Sequence, residues 1–597
     1  MSANALGLDN SAAFGVARSF SGRKWILQRV DDDAVSELAR ETGISLTLAR
    51  LLASRGVKAA EITDVLNPTL KRLLPEPNSL LDMEKAVARV RSAIEGGEKI
   101  AIFGDYDVDG SCSTALLHGF LTALGPAPRV YIPDRMTEGY GPSAKAMLQL
   151  KDEGISLVIT VDCGATATGA LTAARDTALD VIVLDHHAVE SAPPSFAQVN
   201  PNRKGDSSGL TYLCAAGVTF LFAVALNRAL RDAGWYAAKE IPEPDLREQL
   251  DLVSLATVCD VVPLIGVNRA FLRAGLAQMA KQRRIGLAAL ARVAKIVPPF
   301  TPYHHGYVFG PRINAGGRVG RCSLGVELLT ANEGTEAEEF ALALDLHNRE
   351  RQAIEKIILQ DAIAMAALQD NAPFLFAAKE GWHAGVVGIV AGRLKDRFGK
   401  PSFVAGFEGG MARGSARSVA GIDIGAIVRA AKDEGLLLSG GGHAMAAGFS
   451  LTAEQEGAFQ SFLAARFAEG GDALAGVLDL HIDTLVSPSG ATEALVNDIA
   501  QAGPYGAGNP EPLVAATDVR VVFADVAGKD HVRLRLAGGD GARLDAIAFR
   551  VADQPLGKGL LGSRGKAIHV AGRLKIDEWN GKVRVQLQVE DAAPAGV

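Results

Sequence analysis

Cysteine is scarce in this chain of 597 residues: Cys112, Cys163, Cys214, Cys259 and Cys322 are five, widely separated and without a CxxC pair. An odd count with no metal-type spacing argues against a disulfide framework and against structural zinc, and leaves reduced, mostly buried thiols. Long apolar runs are also missing, so no segment reads as a membrane span. Positive charge is not in excess either, since 61 Lys and Arg against 68 Asp and Glu give a formal net charge of -7. A nucleic-acid partner usually leaves a basic footprint. That deficit excludes less than it suggests, because metal-binding carboxylates count as negative charge and cations can be gathered into one groove. The stretch from Met1 to about Ser21 lacks the charged start and apolar core of a secretory signal. It is expected to be an unpacked tail, with the protein in the cytoplasm.

A chain this long exceeds one hydrophobic core, and about three to five domains are expected. From Lys24 to Leu81 the apolar spacing predicts helices. Apolar strands are then predicted at Ile100 to Phe103, Val130 to Ile132, Leu157 to Val161 and Val181 to Leu184, separated by helix-length segments. That alternation predicts a parallel α/β sheet covered on both faces. Residues 22–331 form the first domain on this reading, after the tail 1–21. Thr335 and Glu338 suggest a capping box opening a connecting helix within 332–370. A smaller α/β domain follows over 371–470. Alternating short strands over 471–597, with a hairpin signal at Asn580-Gly581, predict a small β-barrel.

Chemistry is concentrated at the ends of the predicted strands. Asp105, Asp107 and Asp109 alternate straight after one, Asp162 follows another, and Asp185-His186-His187 follows a third. Clustered carboxylates repel and are costly to desolvate unless cations neutralise them. In an open parallel sheet the carboxyl ends of the strands converge on one crevice. Asp260, one acid among hydrophobes in Leu252-Val253-Ser254-Leu255-Ala256-Thr257-Val258-Cys259-Asp260-Val261-Val262, joins them as a candidate ligand. Carboxylates with imidazole suit Mn²⁺ or Mg²⁺, and two such ions about 3.5–4 Å apart need a bridging carboxylate. Asp107, Asp109, Asp162, His186 and Asp260 would supply that set. Taken singly, Asp162 reads as a helix N-cap; the joint pattern carries the metal reading.

These motifs, in this order, resemble the DHH phosphoesterase superfamily, named for the triplet seen here as Asp185-His186-His187, and within it the RecJ family of bacterial single-strand-specific 5′→3′ DNA exonucleases. The resemblance covers nearly the whole chain. It includes Gly310-Pro311-Arg312-Ile313-Asn314-Ala315-Gly316-Gly317-Arg318 and Gly381-Trp382-His383-Ala384-Gly385. Gly414-Ser415-Ala416-Arg417-Ser418 and Gly440-Gly441-Gly442-His443-Ala444 resemble the DHHA1 domain, and Gly503-Pro504-Tyr505-Gly506 the lead into an OB-fold. It implies a DHH domain, a connecting helix, a DHHA1 domain and an OB-fold barrel. The five candidate ligands match the family's metal ligands, with Asp105 supporting or ligating and His187 donating to the scissile phosphate or orienting a ligand. Arg312 and Arg318, taken to lie in a Gly-rich loop, are expected with Ser415 and Arg417 to hold the terminal phosphate, with His383 and His443 facing the cleft. Arg533, Arg535, Lys575 and Trp579 are expected to face DNA on the barrel. The implied substrate is single-stranded DNA, cut to 5′-mononucleotides in repair and recombination, with a helicase and a single-strand-binding protein as partners. Two rivals remain: a DHH phosphodiesterase for short oligoribonucleotides or cyclic dinucleotides, and an inactive single-strand-binding scaffold.

Overall fold

The computed structural model describes residues 11–135, 137–189, 191–369, 372–469, 479–579 and 582–596. It divides into two compact units, one of Asn67–Gln360 with Gly506–Asn509, the other of Met1–Leu66, Asp361–Tyr505 and Pro510–Val597.

The first unit is built on five parallel strands in the order Arg129–Tyr131, Ile100–Gly104, Leu157–Val161, Asp180–Leu184 and Ala197–Val199. Side chains alternate across a strand, so Ile102, Leu157, Ile159 and Ile182 enter one core with helices Val108–Leu124, Ala215–Asp232 and Leu250–Cys259. Phe103, Val158, Val181 and Val183 enter the other with Ala144–Asp152 and Thr168–Asp176. Each fully buried Val, Leu or Ile contributes about 1.5–3 kcal/mol, which explains why these strands are near-continuous apolar runs. Val108–Leu124 is buried on almost every side, packed by Ala215–Asp232, Leu250–Cys259 and Leu324–Thr330. The residues at its start are thereby held rigidly at the sheet's carboxyl edge.

In the second unit a five-stranded sheet runs in the order Ser439–His443, Ala446–Thr452, Met411–Arg417, Ser402–Glu408, Leu375–Glu380, with only the last pair parallel. Phe374, Phe376, Phe403, Phe449 and Phe459 fill its core. The C-terminal strands close into a barrel where Val514–Ala527 pairs with Ala567–Trp579. A long helix, Gly334–Ala367, spans the division between the units.

Three expectations need correction. Residues 1–10 of the expected tail lie outside the described residues, but Val16 and Ser19 are buried and the Phe20 amide donates to the Ala592 carbonyl at 2.8 Å. Lys24–Leu27 is a strand rather than the start of a helix, pairing in parallel with Asp479–Ile482, and Trp25 is buried with Nε1 donating to Asp591 Oδ2 at 2.9 Å. The capping box at Thr335 and Glu338 is not formed: both lie inside the helix, and Glu338 pairs with Arg292 at 2.8 Å instead. Asn580-Gly581 and the Trp579 side chain lie outside the described residues. Among the described residues no helix is long and apolar enough to cross a membrane.

Candidate metal centre

Four neighbouring parallel strands deliver the site. Ile100–Gly104 runs into Asp105, and Asp107 caps helix Val108–Leu124 by accepting from the Gly110 amide at 3.0 Å. The turn is so tight that a Cβ at Gly110 would stand 2.6 Å from the Asp105 carbonyl oxygen, so only glycine fits. Leu157–Val161 ends at Asp162, whose φ of 59° is left-handed. Asp180–Leu184 ends at Asp185-His186-His187, and the loop after Ala197–Val199 returns Asn200 and Asn202 to clamp that triplet. Their amides donate to the His187 carbonyl at 2.8 Å and the His186 carbonyl at 2.6 Å. Asp260 caps the C-terminal end of Leu250–Cys259.

These side chains meet. His186 Nε2 lies 3.4 Å from Asp162 Oδ1, 3.6 Å from Asp260 Oδ2 and 3.8 Å from Asp109 Oδ2. Three overlapping groups each bring ligand atoms within 4.8 Å of one another: Asp105 with Asp107 and Asp162, Asp109 with His186 and Asp260, and Asp162 with His186 and His187. Asp162 and His186 each belong to two of the groups, so the three sets join into one cluster. Asp105 Oδ1, Asp162 Oδ1 and His186 Nε2 are buried without a hydrogen-bond partner in the protein. Orphaned buried acceptors are costly, and oxygen and imidazole donors fit Mn²⁺ or Mg²⁺.

Electrostatics give the same picture. Burial, then the charges of Asp109, Asp107 and Asp105, push Asp162 well above the usual carboxylate range. Burial and Asp107 do the same to Asp105, and burial with Asp109 and Asp107 pushes Asp260 up to about 9. Asp109 is raised by burial, partly offset by His186. Asp185 behaves differently. Burial pushes it up, but the hydrogen bond from His187 and the charges of both histidines outweigh this and leave it below the ordinary value. Burial lowers His187, yet the 2.7 Å bond to Asp185 and that carboxylate's charge raise it to about 9. Asp185 is therefore the structural member of the triplet, accepting from the His186 amide at 2.7 Å and the Ala165 amide at 3.0 Å.

The structure adds residues that sequence reasoning missed. Tyr140 donates its hydroxyl to the Asp162 carbonyl at 2.9 Å and sits 3.4 Å from His187 Nδ1. Asp109 accepts from the Ala215 and Ala216 amides at 2.7 and 2.8 Å, so it also caps helix Ala215–Asp232. Arg312 and Arg318 are on a helix, Gly310–Val319, rather than in a loop. Gly317 lets that helix lie against Tyr106, where a Cβ would come within 3.1 Å of the ring. Arg312 is bound to buried Asp345 at 3.0 Å and to the Val308 carbonyl at 2.8 Å; Arg318 is half-buried.

In the other unit, Arg417 Nη1 donates to Ser415 Oγ at 2.8 Å, both on strand Met411–Arg417 and against Gly388. His383 caps the helix that carries Gly388, its Nδ1 accepting from the Gly385 amide at 3.1 Å. His443 is exposed at the end of a strand in the same sheet, level with Arg417 through Ala446. On the barrel Arg535 pairs with Asp545 at 2.8 Å and Lys575 with Glu511 at 2.6 Å, while Arg533 lies 5.4 Å from the Phe523 ring centroid.

Comparison with known proteins follows the same segments. A family model described as the DHH family, N-terminal domain, matches residues 99–257, one for the DHHA1 domain 371–469, and one for the RecJ OB domain 482–591. The Escherichia coli single-stranded-DNA-specific exonuclease RecJ is 34% identical over 95% of this chain and 99% of its own. The chain belongs to the RecJ family. A Bacillus subtilis RecJ is 34% identical over 96% of this chain and 71% of its own length. The crystal structure of Thermus thermophilus RecJ with Mn²⁺ superposes with a TM-score of 0.80 at 29% identity, covering 95% of this chain and 79% of that one. The same protein with Mg²⁺ gives 0.73 at 28% identity, over 96% and 79%. The expected family, the α/β and barrel make-up and the choice of Mn²⁺ or Mg²⁺ as cation agree with these relatives.

Proposed function

We propose that this chain is a metal-dependent exonuclease specific for single-stranded DNA, degrading it 5′→3′ to 5′-mononucleotides in repair and recombination. The observation that carries the reading is the set of overlapping donor groups sharing Asp162 and His186, in a chain with the DHH, DHHA1 and OB make-up of a RecJ. Asp107, Asp109, Asp162, His186 and Asp260 would hold two divalent ions, with Asp105 beside them. Mn²⁺ or Mg²⁺ held there would supply positive charge for the phosphodiester and a water nucleophilic at neutral pH. The 2.7 Å bond to Asp185 favours a proton on His187 Nδ1, and Nε2 is the nitrogen left to donate to a phosphate oxygen as charge develops. Tyr140 fixes the Asp162 backbone. In the first unit Arg312, anchored on Asp345, and Arg318 are assigned to DNA phosphate, and in the second Ser415 and Arg417, with His383 and His443, are assigned to the same chemistry. On this reading the protein works in the cytoplasm, on strands exposed by a helicase and handed over by a single-strand-binding protein.

The test is degradation of 3′-labelled single-stranded DNA, duplex DNA, RNA and dinucleotides with Mn²⁺, for the wild type and Asp162→Asn. Asparagine tolerates a positive φ, and Asp162 Oδ1 has no protein partner to lose. Stepwise shortening of single-stranded DNA from the 5′ end, abolished by the substitution, is expected. Preference for dinucleotides points to the short-oligomer phosphodiesterase, and binding without cleavage to the inactive scaffold.

A further inference from the structure

Helix Leu250–Cys259 ends at Asp260, and one segment is fastened to that end from outside. His305 is fully buried, its Nε2 lies 3.1 Å from Ser254 Oγ, and its carbonyl accepts from Cys259 Sγ at 3.4 Å. A Cβ at the next residue, Gly306, would stand 3.5 Å from Val258. His305–Phe309 winds as a single π-helical turn, a geometry found frequently at functional sites. Together with the preceding turn Pro302–His304 it carries aromatic residues on two faces. His305 and Phe309 point inward, edge to face, with centroids 6.3 Å apart. Tyr303 and Tyr307 point outward, 63% and 70% exposed, with rings stacked at 5.0 Å and 24°.

The inward pair explains how the segment is anchored. The outward pair has no such explanation, because two large rings stacked in water leave most of their apolar area unburied. A stacked pair of flat rings offers its open faces to a third flat ring. The segment is anchored through His305 and Gly306 to Cys259 and Val258, which directly precede Asp260 at the end of one helix. The substrate assigned to the candidate metal centre carries unpaired bases, and aromatic side chains hold single strands by stacking on them without regard to sequence.

We propose that Tyr303 and Tyr307 form a base-stacking platform for the single strand whose phosphates the metal centre engages. This rests on the exonuclease reading and adds a site for the bases, away from the phosphate contacts. The rings supply affinity rather than chemistry, so their loss acts on KM.

The experiment compares steady-state degradation of two 3′-labelled strands with Mn²⁺, one of ordinary DNA and one abasic beyond its 5′-terminal nucleotides, by the wild type, Tyr303→Ala/Tyr307→Ala and Tyr303→Phe/Tyr307→Phe. The alanine pair is expected to raise KM for ordinary DNA about tenfold or more, with kcat little changed. The phenylalanine pair keeps the stacking faces and the wild-type KM. On the abasic strand all three proteins are expected to match. An unchanged KM for the alanine pair on ordinary DNA overturns the platform, as does an equal loss on both strands, which signals general damage. A wild type that degrades neither strand overturns the exonuclease reading itself, and the platform with it.

Discussion

Replacing Asp109 by alanine is the obvious way to silence this centre, and it is expected to damage the fold as well. The Asp109 carboxylate accepts from the Ala215 and Ala216 amides at 2.7 and 2.8 Å, at the start of an 18-residue helix that crosses the core. Both donors are buried, and a buried donor left unsatisfied costs about 1–3 kcal/mol. Two of them cost about 2–6 kcal/mol, and losing a negative charge at a helix N-terminus adds roughly 0.3–2 kcal/mol. Relief of the crowded carboxylates offsets part of this, because burial and Asp107 already raise Asp109. The net expectation is a loss of about 2–4 kcal/mol for Asp109→Ala and roughly half of that for Asp109→Asn, which keeps one accepting oxygen. Asp162→Asn loses no protein hydrogen bond through Oδ1 and is expected to melt at or above the wild-type temperature. The assay is thermal or urea unfolding with a chelator present, so that lost metal binding cannot mimic lost packing. If Asp109→Ala unfolds with the wild type, the helix-capping role assigned to Asp109 is wrong.

Three further outcomes are expected. With divalent ions chelated, Asp105, Asp162 and Asp260 have folded-state pKa values above their unfolded ones, with Asp260 pushed up to about 9. Their stabilising contribution is therefore full at acid pH and lost as pH rises from about 4 through the folded values. Urea midpoints in chelator should fall from pH 5 to pH 9 (about the window these shifts define), and Mn²⁺ should flatten the trend; a flat trend without metal would refute it. Val261, next to Asp260, holds a left-handed φ of 59° although it is β-branched and 69% exposed. Val261→Gly should stabilise the chain by about 1 kcal/mol, and a destabilised variant would show that the side chain is held by packing. Trp25→Phe removes the donor to Asp591 and should cost about 1–3 kcal/mol, seen as earlier melting without loss of metal affinity.

The parallel sheet and its ligands were legible because both rest on local pattern. Fully buried strands must be apolar throughout, and Asp107, Asp162 and His186 each sit straight after one. Lys24–Leu27 was not legible, since a four-residue strand is defined by its partner, Asp479–Ile482, at the far end of the chain. The glycines around Arg312 suggested a loop. In the structure they serve close approach, Gly310 against Cys259 and Gly317 against Tyr106, within an unbroken helix. Asp109 could be read as a ligand but not as a helix cap, because the amides it accepts from lie over a hundred residues downstream. Tyr140 carries no sequence signal at all; only the folded position of Asp162 brings it in. On the barrel, alternating arginine and lysine suggested a DNA face, whereas Arg535 and Lys575 are paired with neighbouring carboxylates.

The pairing of Lys24–Leu27 with Asp479–Ile482 has a consequence for how the protein is made. Residues 67–360, with their own sheet and cores, leave the ribosome as an almost continuous block and can condense early. The strand ahead of them, and Trp25 with it, must wait until the barrel has been translated. During most of synthesis this strand is thus an unpaired edge with a large indole beside it, the kind of surface that invites pairing with another chain. Chaperone dependence of the nascent protein is expected to concentrate there and to end only when the last strands arrive.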